Sequence, residues 1–367
     1  MGMEFFWICT FVIMFFGIWL TISSSKITWI EWAITFVVSF AVTGIFHLCA
    51  VSGMQADNEI WSGQIVKAVY YPEWVERYTE HHSGRVGSGA SAHTIYWTDS
   101  HLRTHHEKWE AETSLFIAYG ISESFYKEIC KNFASLVTEQ PQKGGFVSGD
   151  KNVYASYNKT KYIYPTTDVK SWANKVRAAP SKFSFPKIDR TKVPVFEYPL
   201  TTDWLRSKRL LGTAGNTVTL LEFDRMNALL NPYKEVNVIL IGFGDKESEL
   251  GSLQEAYWLR GKKNDLVLCY GGKDPLKPSW AYVFGWTEVK VVKDNLRQIL
   301  LKNEIDDTIL PLIEAEIRQN YKIKDWSQLD YIKVEPPRWV YYVYFTLIGL
   351  TQLIAWLICY FNGVDDC

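Results

Sequence analysis

The histidines are the residues of this sequence whose type and spacing could do chemistry. Six of the seven fall in one short segment, residues 81–106. Neutral imidazole is a good ligand for Zn²⁺, Ni²⁺ and Cu²⁺, and the H-x3-H spacing of His101 and His105 would place both rings on one face of a helical turn. The segment therefore predicts a metal site, with zinc as the ion it would suit. The candidate ligands are His81, His82, His93, His101, His105 and His106.

The surroundings of the histidines extend this hypothesis and leave two alternatives open. A further ligand or an orienting partner could come from His81, His82, Glu80, Asp99 or Glu107. No cysteine lies between Cys49 and Cys130, so a thiolate site is excluded for this segment. The alternatives are a polar loop without a ligand, and a pH-sensitive cluster of imidazoles that repel one another when they charge.

Motifs of common enzymes are absent from the sequence. There is no G-x-S-x-G elbow, no Walker A motif and no H-E-x-x-H. Gly242-Phe243-Gly244 lacks the third glycine of a dinucleotide-binding loop, and a tight strand-to-helix turn is the simpler role. Asp224 and Asp265 could bind a cation at the ends of elements, but capping or surface solvation is the expected role of each.

The composition excludes one class of partner. Lys and Arg number 39 and Asp and Glu number 40, giving a formal net charge of -1. A near-neutral chain without charge runs carries no electrostatic signature for nucleic acid. The six cysteines show no CxxC spacing, which argues against a disulfide framework.

Three apolar stretches predict transmembrane helices. Residues 5–22, 33–51 and 339–361 are each long enough to cross a hydrocarbon core of about 30 Å, and Trp and Tyr cluster near their ends. A cleaved signal peptide is the alternative for the first stretch, but no Lys or Arg precedes it. The first two helices would form a hairpin, so both ends of the polar middle attach to the same membrane face. The distribution of Lys and Arg leaves the side of that polar domain open.

The polar middle divides near the proline-rich residues 180–199. Before it, residues 59–71 and 109–117 predict two strands that form a hairpin, with the histidine segment as a loop at its tip. A helix is expected over 122–136, capped by Ser122, and a short helix over 167–178. After it, strands at 236–242, 265–269 and 280–286 alternate with helices at 218–230, 247–259, 291–301 and 309–321. That alternation predicts an α/β layer with a partly parallel sheet.

Part of the second half resembles the TPM domain, a membrane-associated α/β module. The resemblance rests on the strand 236–242, VNVILIG, on the helix end and turn 258–268, WLRGKKNDLVL, and on IRQNY at 317–321. It implies the order strand, helix, turn, strand, strand, helix. TPM modules are linked to phosphatase activity, cation binding and assembly of membrane complexes, and the acidic positions here are too sparse to assign a catalytic set.

The whole layout is similar to that of uncharacterised transmembrane proteins encoded by bacteriophages and some bacteria. The similarity lies in DNEIWSG at 57–63, the histidine-rich insert, KVRAAP at 175–180 and KKND at 262–265. It implies a location in the inner membrane of a bacterial host.

These observations predict a membrane-anchored α+β protein. Its parts would be a transmembrane helical hairpin at 1–53, a β-rich membrane-proximal region with the histidine-rich insert at 54–180, a TPM-like α/β domain at 181–337, and a C-terminal transmembrane helix and tail at 338–367. The expected function is binding or scaffolding, with the lipid bilayer and a membrane protein or a second copy as partners. The alternative is a metal-dependent, phosphatase-like hydrolase at the membrane surface, whose histidines and carboxylates would converge in one cleft. A pore would need His47 and Gln352 to line a lumen, and three helices offer little polar lining.

Overall fold

The protein has a mixed α+β fold, which confirms the predicted class at that level. The computed structural model describes residues 4–24, 29–89, 92–139, 141–160, 162–183, 185–199, 201 and 203–362. Two apolar helices open the chain, α1 (Glu4–Ser24) and α2 (Trp29–Gln55), and a third apolar helix, Arg338–Asn362, follows the folded middle. The predicted turn between the first two helices lies mostly outside the described residues.

The three apolar helices pack against one another, with α2 in contact with both of the others. Among the residues that the structure describes, α2 is the one helix long and apolar enough to cross a membrane, judged by length and composition alone. The predicted spans at 5–22 and 339–361 stay predictions.

Strand β1 (Ala56–Tyr71) follows α2 without a break and organises the β-rich part. The strands and helices that follow it are β2 (Trp74–Val86), β3 (His93–His105), β4 (Lys108–Thr113), β5 (Ala118–Ile121), α3 (Glu123–Asn132), β6 (Ala134–Glu139), β7 (Gly145–Gly149), β8 (Val153–Tyr157), β9 (Pro165–Ala173) and α4 (Lys175–Ala178). The first half of β1 pairs with β9, and its second half lies between β4 and β8, all antiparallel.

The predicted pairing of strands 59–71 and 109–117 is confirmed, because β1 and β4 pair antiparallel from Ile65↔Thr113 to Tyr71↔Lys108. The predicted loop at the tip of this pair is wrong. The histidine segment forms the separate antiparallel pair β2–β3, which continues beyond the end of the β1–β4 pair. Alternating aromatic, β-branched and polar residues suit a two-sided strand better than a loop, and the many histidines and glycines obscured that pattern.

Two helices were predicted between β4 and the proline-rich residues 180–199, and the two predictions have opposite outcomes. Helix α3 begins where expected, and the Ser122 hydroxyl accepts a hydrogen bond from the Phe125 N–H at 3.2 Å. The helix predicted at 167–178 is wrong over most of its length, because β9 runs to Ala173 and only α4 is helical. Pairing along the whole first half of β1 outweighs the weak local helical preference there.

The second half forms the predicted α/β layer. Its elements are β10 (Leu210–Gly212), α5 (Leu220–Lys234), β11 (Asn237–Gly242), α6 (Glu249–Tyr257), β12 (Asp265–Gly271), β13 (Trp280–Gly285), α7 (Val291–Lys302) and α8 (Leu310–Asn320), and the C-terminal helix is α9. The sheet order is β10-β11-β12-β13, parallel except for the antiparallel β13. The predicted partly parallel sheet is therefore confirmed.

Strand β11 explains why this sheet is stable. Val238 and Leu240 pack into the core formed with α5, α7 and α8, whereas Ile239 and Ile241 pack into the core on the α6 side. A strand that is buried on both faces must be apolar at consecutive positions, and this strand is. Helix α5 also contacts β1, which joins this layer to the β-rich part.

Candidate functional site

The histidine segment forms a long two-stranded ribbon. Strands β2 and β3 pair residue by residue from Trp74↔His105 to Val86↔His93, without a register shift. At about 3.4 Å per residue the pair is roughly 40 Å long. We call residues 74–105 the histidine ribbon; positions 90 and 91 at its turn lie outside the described residues.

Alternation along the strands sorts the histidines onto faces. Directly opposed residues share a face, so the register places four histidines on the face that also carries Trp74 and Trp97. His81 lies on the opposite face, and His106 follows the end of β3. The four that share a face are His82, His93, His101 and His105.

Carboxylates lie beside several of these imidazoles. His82 Nε2 is 3.3 Å from Asp99 Oδ2 and 3.8 Å from Glu80 Oε2. His101 Nε2 approaches the same Glu80 oxygen at 3.9 Å. Glu80 and Asp99 are directly opposed across the ribbon, an arrangement that is unfavourable for two carboxylates alone. Protonated His82 and His101 would offset that repulsion.

The base of the ribbon is anchored in the domain. Trp74 is fully buried, and its ring stacks on His105 with centroids 4.5 Å apart. His105 Nε2 lies 3.1 Å from Oε1 of the buried Glu76. Strand β7 pairs with β2 over this stretch only. The ribbon is therefore held at its base and is two-stranded beyond it.

The predicted ligand pair does not come together. His101 and His105 lie on a strand and not on a helical turn, so their Cα atoms are about 13 Å apart. His82 and His101 approach Glu80 from opposite sides along the ribbon. Among the residues that the structure describes, no group of three or more His, Cys, Asp or Glu side chains is placed to hold a metal ion. The zinc site stays a prediction without a supporting ligand geometry.

Apolar side chains lie uncovered beside the histidines. Tyr96 is 80% exposed and Leu102 is 62% exposed, on the face opposite to most of the histidines, and Trp97 is 46% exposed on the histidine face. Every residue of β3 is exposed except His105, which is partly buried. The ribbon thus presents aromatic, aliphatic and imidazole groups to its surroundings on both faces.

A second cluster lies where α2 enters the domain, and sequence reasoning missed it. Asp57 is buried two residues after α2 ends. Its carboxylate accepts a hydrogen bond from Asn174 Nδ2 at 2.6 Å, lies 3.5 Å from Arg177 Nη1 and forms an ion pair with Lys262. These side chains line a cleft of about 380 Å³ together with Tyr198.

Asp265 extends this cluster into the core. It is fully buried and accepts hydrogen bonds from Asn237 Nδ2 at 2.8 Å, the Lys262 N–H at 2.7 Å and the Tyr198 hydroxyl at 3.1 Å. Burial raises the pKa of the Asp265 carboxyl above its ordinary value and raises that of the Tyr198 hydroxyl well above its own. The expectation of a capping or solvated role for this residue was wrong.

Asp224 is likewise buried. It pairs with the Ser207 hydroxyl, and its Oδ1 lies 3.6 Å from Nη1 of the fully buried Arg209. Burial raises the pKa of Asp224 and lowers that of Arg209. The charged groups around Asp57 and Asp265, and the pair Asp224 and Arg209, have partners of opposite charge within the protein. We therefore interpret them as contacts that hold elements together, and the ribbon as the candidate site.

Comparison of the chain with protein-family models, curated proteins and solved structures finds no match in any of the three. The resemblances to the TPM domain and to the phage and bacterial membrane proteins therefore stay predictions, and the functional argument rests on the geometry of the ribbon and of the apolar helices.

Proposed function

We propose that the chain is a membrane-anchored binding protein. Helices α1, α2 and α9 hold it in a lipid bilayer, and the histidine ribbon presents a binding surface to a protein partner. The observation that carries the proposal is the ribbon itself, which leaves aromatic and aliphatic side chains uncovered along a two-stranded projection. Uncovered apolar groups grouped in this way are typical of interaction sites. The bacterial inner membrane as the location stays a prediction.

The distribution of polar and apolar side chains on the three helices supports the proposed membrane anchor. Buried polar groups face one another between the helices, with Thr10 Oγ1 2.8 Å from Thr43 Oγ1 and the Tyr344 hydroxyl donating to the Phe6 carbonyl at 2.8 Å. Large apolar side chains point outward, and these include Ile8, Val12, Phe15, Ile30, Ile34, Val37, Ile45, Leu48, Leu350, Leu353 and Ile358. Polar contacts between the helices and an apolar outer surface suit hydrocarbon as the solvent.

The connection between helix α2 and the histidine ribbon supports a role of the ribbon in presenting a binding surface. Strand β1 starts at the residue after α2, and β2 starts three residues after β1 ends. The anchor and the ribbon are thus connected by paired strand with one short interruption, at Pro72 and Glu73. A partner bound to the ribbon would be held at a defined place relative to the bilayer.

The metal-dependent hydrolase has weaker support. It requires histidines and carboxylates that converge in one cleft. The contacts described above join Asp99, His82, Glu80 and His101 on the exposed face of the ribbon and not in a cleft, so we retain binding as the proposal.

The anchor is tested by washing membranes that contain the full-length chain with alkaline carbonate. We expect the chain to stay in the membrane pellet and to enter solution only with detergent, because three apolar helices must leave hydrocarbon. A chain that is released by carbonate alone would overturn the anchor.

The binding surface is tested with a photo-crosslinking amino acid in place of Tyr96, in membranes of the cells that express the chain. The control carries the same amino acid in place of Tyr233, which is 74% exposed but lies on α5. We expect a discrete crosslinked protein species from position 96 and none from position 233. Equal crosslinking at both positions, or none at position 96, would overturn the ribbon as the binding surface.

A further inference from the structure

The outer edge of β3 is an unpaired strand edge. Within the described chain, β3 is the edge strand of the sheet β3-β2-β7 and pairs only with β2. Its outward N–H and C=O groups form a template on which another strand can pair. The edge is long, because β3 has 13 residues.

Devices that normally protect such an edge are weak here. Protein sheets block edge pairing with lysine, proline, bulges or short strands. Strand β3 has no lysine and no proline, and its pairing with β2 has no bulge. Register shifts occur elsewhere in the β-rich part, in the pairings of β1 with β4 and of β2 with β7.

Other strand edges of the described chain are shorter or occupied. Strand β13 has six residues, and its Ala281 carbonyl accepts a hydrogen bond from Arg297 Nε at 3.1 Å. Strand β6 also has six residues and a register shift. The edge of β3 is therefore the place where pairing with another strand would gain most.

We propose that two copies of this chain pair antiparallel along β3 and form one continuous four-stranded ribbon, β2-β3-β3-β2. The inference rests on the proposed function and names its partner, which is a second copy. Two-fold symmetry places the same face of both copies on the same side of the combined ribbon, so the histidine faces lie together.

One register brings complementary side chains of the two copies opposite each other. With Ser100 opposite the partner subunit's Ser100, Asp99 lies opposite the partner subunit's His101, and Trp97 lies opposite the partner subunit's Arg103. The first pair joins opposite charges when the imidazole is protonated, and the second joins a cation to an indole ring. With Asp99 opposite its own copy, two carboxylates would face each other, which is unfavourable.

Cysteine crosslinking of the full-length chain in detergent tests the register. Residues on the two-fold axis lie about 4.5–5.5 Å apart at Cα, which allows a disulfide. We expect Ser100→Cys to form a covalent dimer under mild oxidation beyond the background of the wild-type cysteines. The matched control, Ser83→Cys on β2, should add none. Strong crosslinking at Thr98→Cys or Leu102→Cys instead would overturn the proposed register, and equal crosslinking at Ser83→Cys and Ser100→Cys would overturn pairing along β3.

A charge exchange tests the complementarity. Asp99→Arg and His101→Asp, each alone, should weaken the dimer on the order of tenfold, because the first removes the carboxylate opposite the imidazole and the second places two carboxylates opposite each other. The double variant should restore wild-type association, measured by mass photometry over a dilution series. A double variant as weak as the single variants would overturn the assigned pair.

Failure of this inference is distinguishable from failure of the proposed function. A wild-type chain that is monomeric at all concentrations, yet stays in carbonate-washed membranes and crosslinks a different protein from position 96, would overturn the self-pairing and leave the binding function in place.

Discussion

At the scale of single residues, Asp57 joins the start of β1 to two other parts of the chain. It is buried where α2 becomes β1, and it meets Lys262 from the α/β layer and Arg177 from α4. Three separate parts of the chain thus meet at one carboxylate. Removal of the Asp57 carboxylate leaves the largely buried ammonium group of Lys262 without this ion-pair partner.

We therefore predict that Asp57→Ala lowers the free energy of unfolding by about 3–5 kcal/mol. The control is Glu304→Ala, which breaks the exposed ion pair with Lys277 and should cost less than about 1 kcal/mol. Urea unfolding in detergent, followed by tryptophan fluorescence, measures both. Equal losses in the two variants would contradict the role of Asp57.

At the scale of elements, Lys67 ties the strands of the β-rich sheet together. Its Nζ on β1 lies 3.2 Å from Glu112 on β4 and 2.8 Å from Glu139 on β6, which reaches it across β8. Burial opposes the charge of Lys67, but hydrogen bonds with Glu139 and Glu112 raise its pKa above the ordinary value. Hydrogen bonds from Lys67 and Tyr157 lower the pKa of Glu139 below 4.5.

This coupling predicts an acid-sensitive edge strand. A carboxyl whose pKa is lowered by folding stabilises the native state above its unfolded pKa, and that contribution disappears as pH falls through the folded pKa. The difference in unfolding free energy between the wild type and Glu139→Gln should therefore be constant above about pH 4.5 and shrink below it. Urea unfolding between about pH 3 and 7 measures it. A difference that stays constant down to about pH 3 would contradict this attachment of β6.

At the scale of the whole molecule, the helices differ from the α/β layer in the side chains that they expose and in the polar groups between them. The layer buries apolar groups on both faces of its sheet, whereas the helical bundle buries Thr10, Thr43 and Tyr344 and exposes apolar groups. The exposed surface of the α/β layer thus suits water, whereas that of the helical bundle suits hydrocarbon. The proposed anchor follows from this contrast.

The polar contacts between the helices predict a modest stabilisation. Tyr344→Phe should weaken the association of the three helices by about 0.6–1.7 kcal/mol, because the reference state in a membrane also finds hydrogen-bond partners. Tyr342→Phe is the control, since Tyr342 is 69% exposed on the same helix. Thermal unfolding in detergent compares the two. A larger loss for Tyr342→Phe would contradict the assigned inner face of α9.

Local patterns in the sequence determined most of the elements. The apolar run at 236–242 predicts a buried strand because only a strand covered on both faces tolerates consecutive apolar residues, and β11 is that strand. Ser122 predicts the start of α3 because a hydroxyl at that position satisfies an orphan N–H. The same reasoning located the other helices and strands of the α/β layer to within a few residues, except for the short strand β10, which the sequence did not predict.

Only the tertiary structure decided which of these residues meet. The composition of the histidine segment is plain from the sequence, but its strand register separates His101 from His105 and divides the histidines between faces. Segment 167–178 becomes mostly strand because β1 offers a partner along it. Asp57 and Lys262 lie far apart in sequence, and no local pattern links them. The periodicity of apolar residues indicates which side chains face the core and which face the solvent. Contacts between distant segments depend instead on how the completed elements pack.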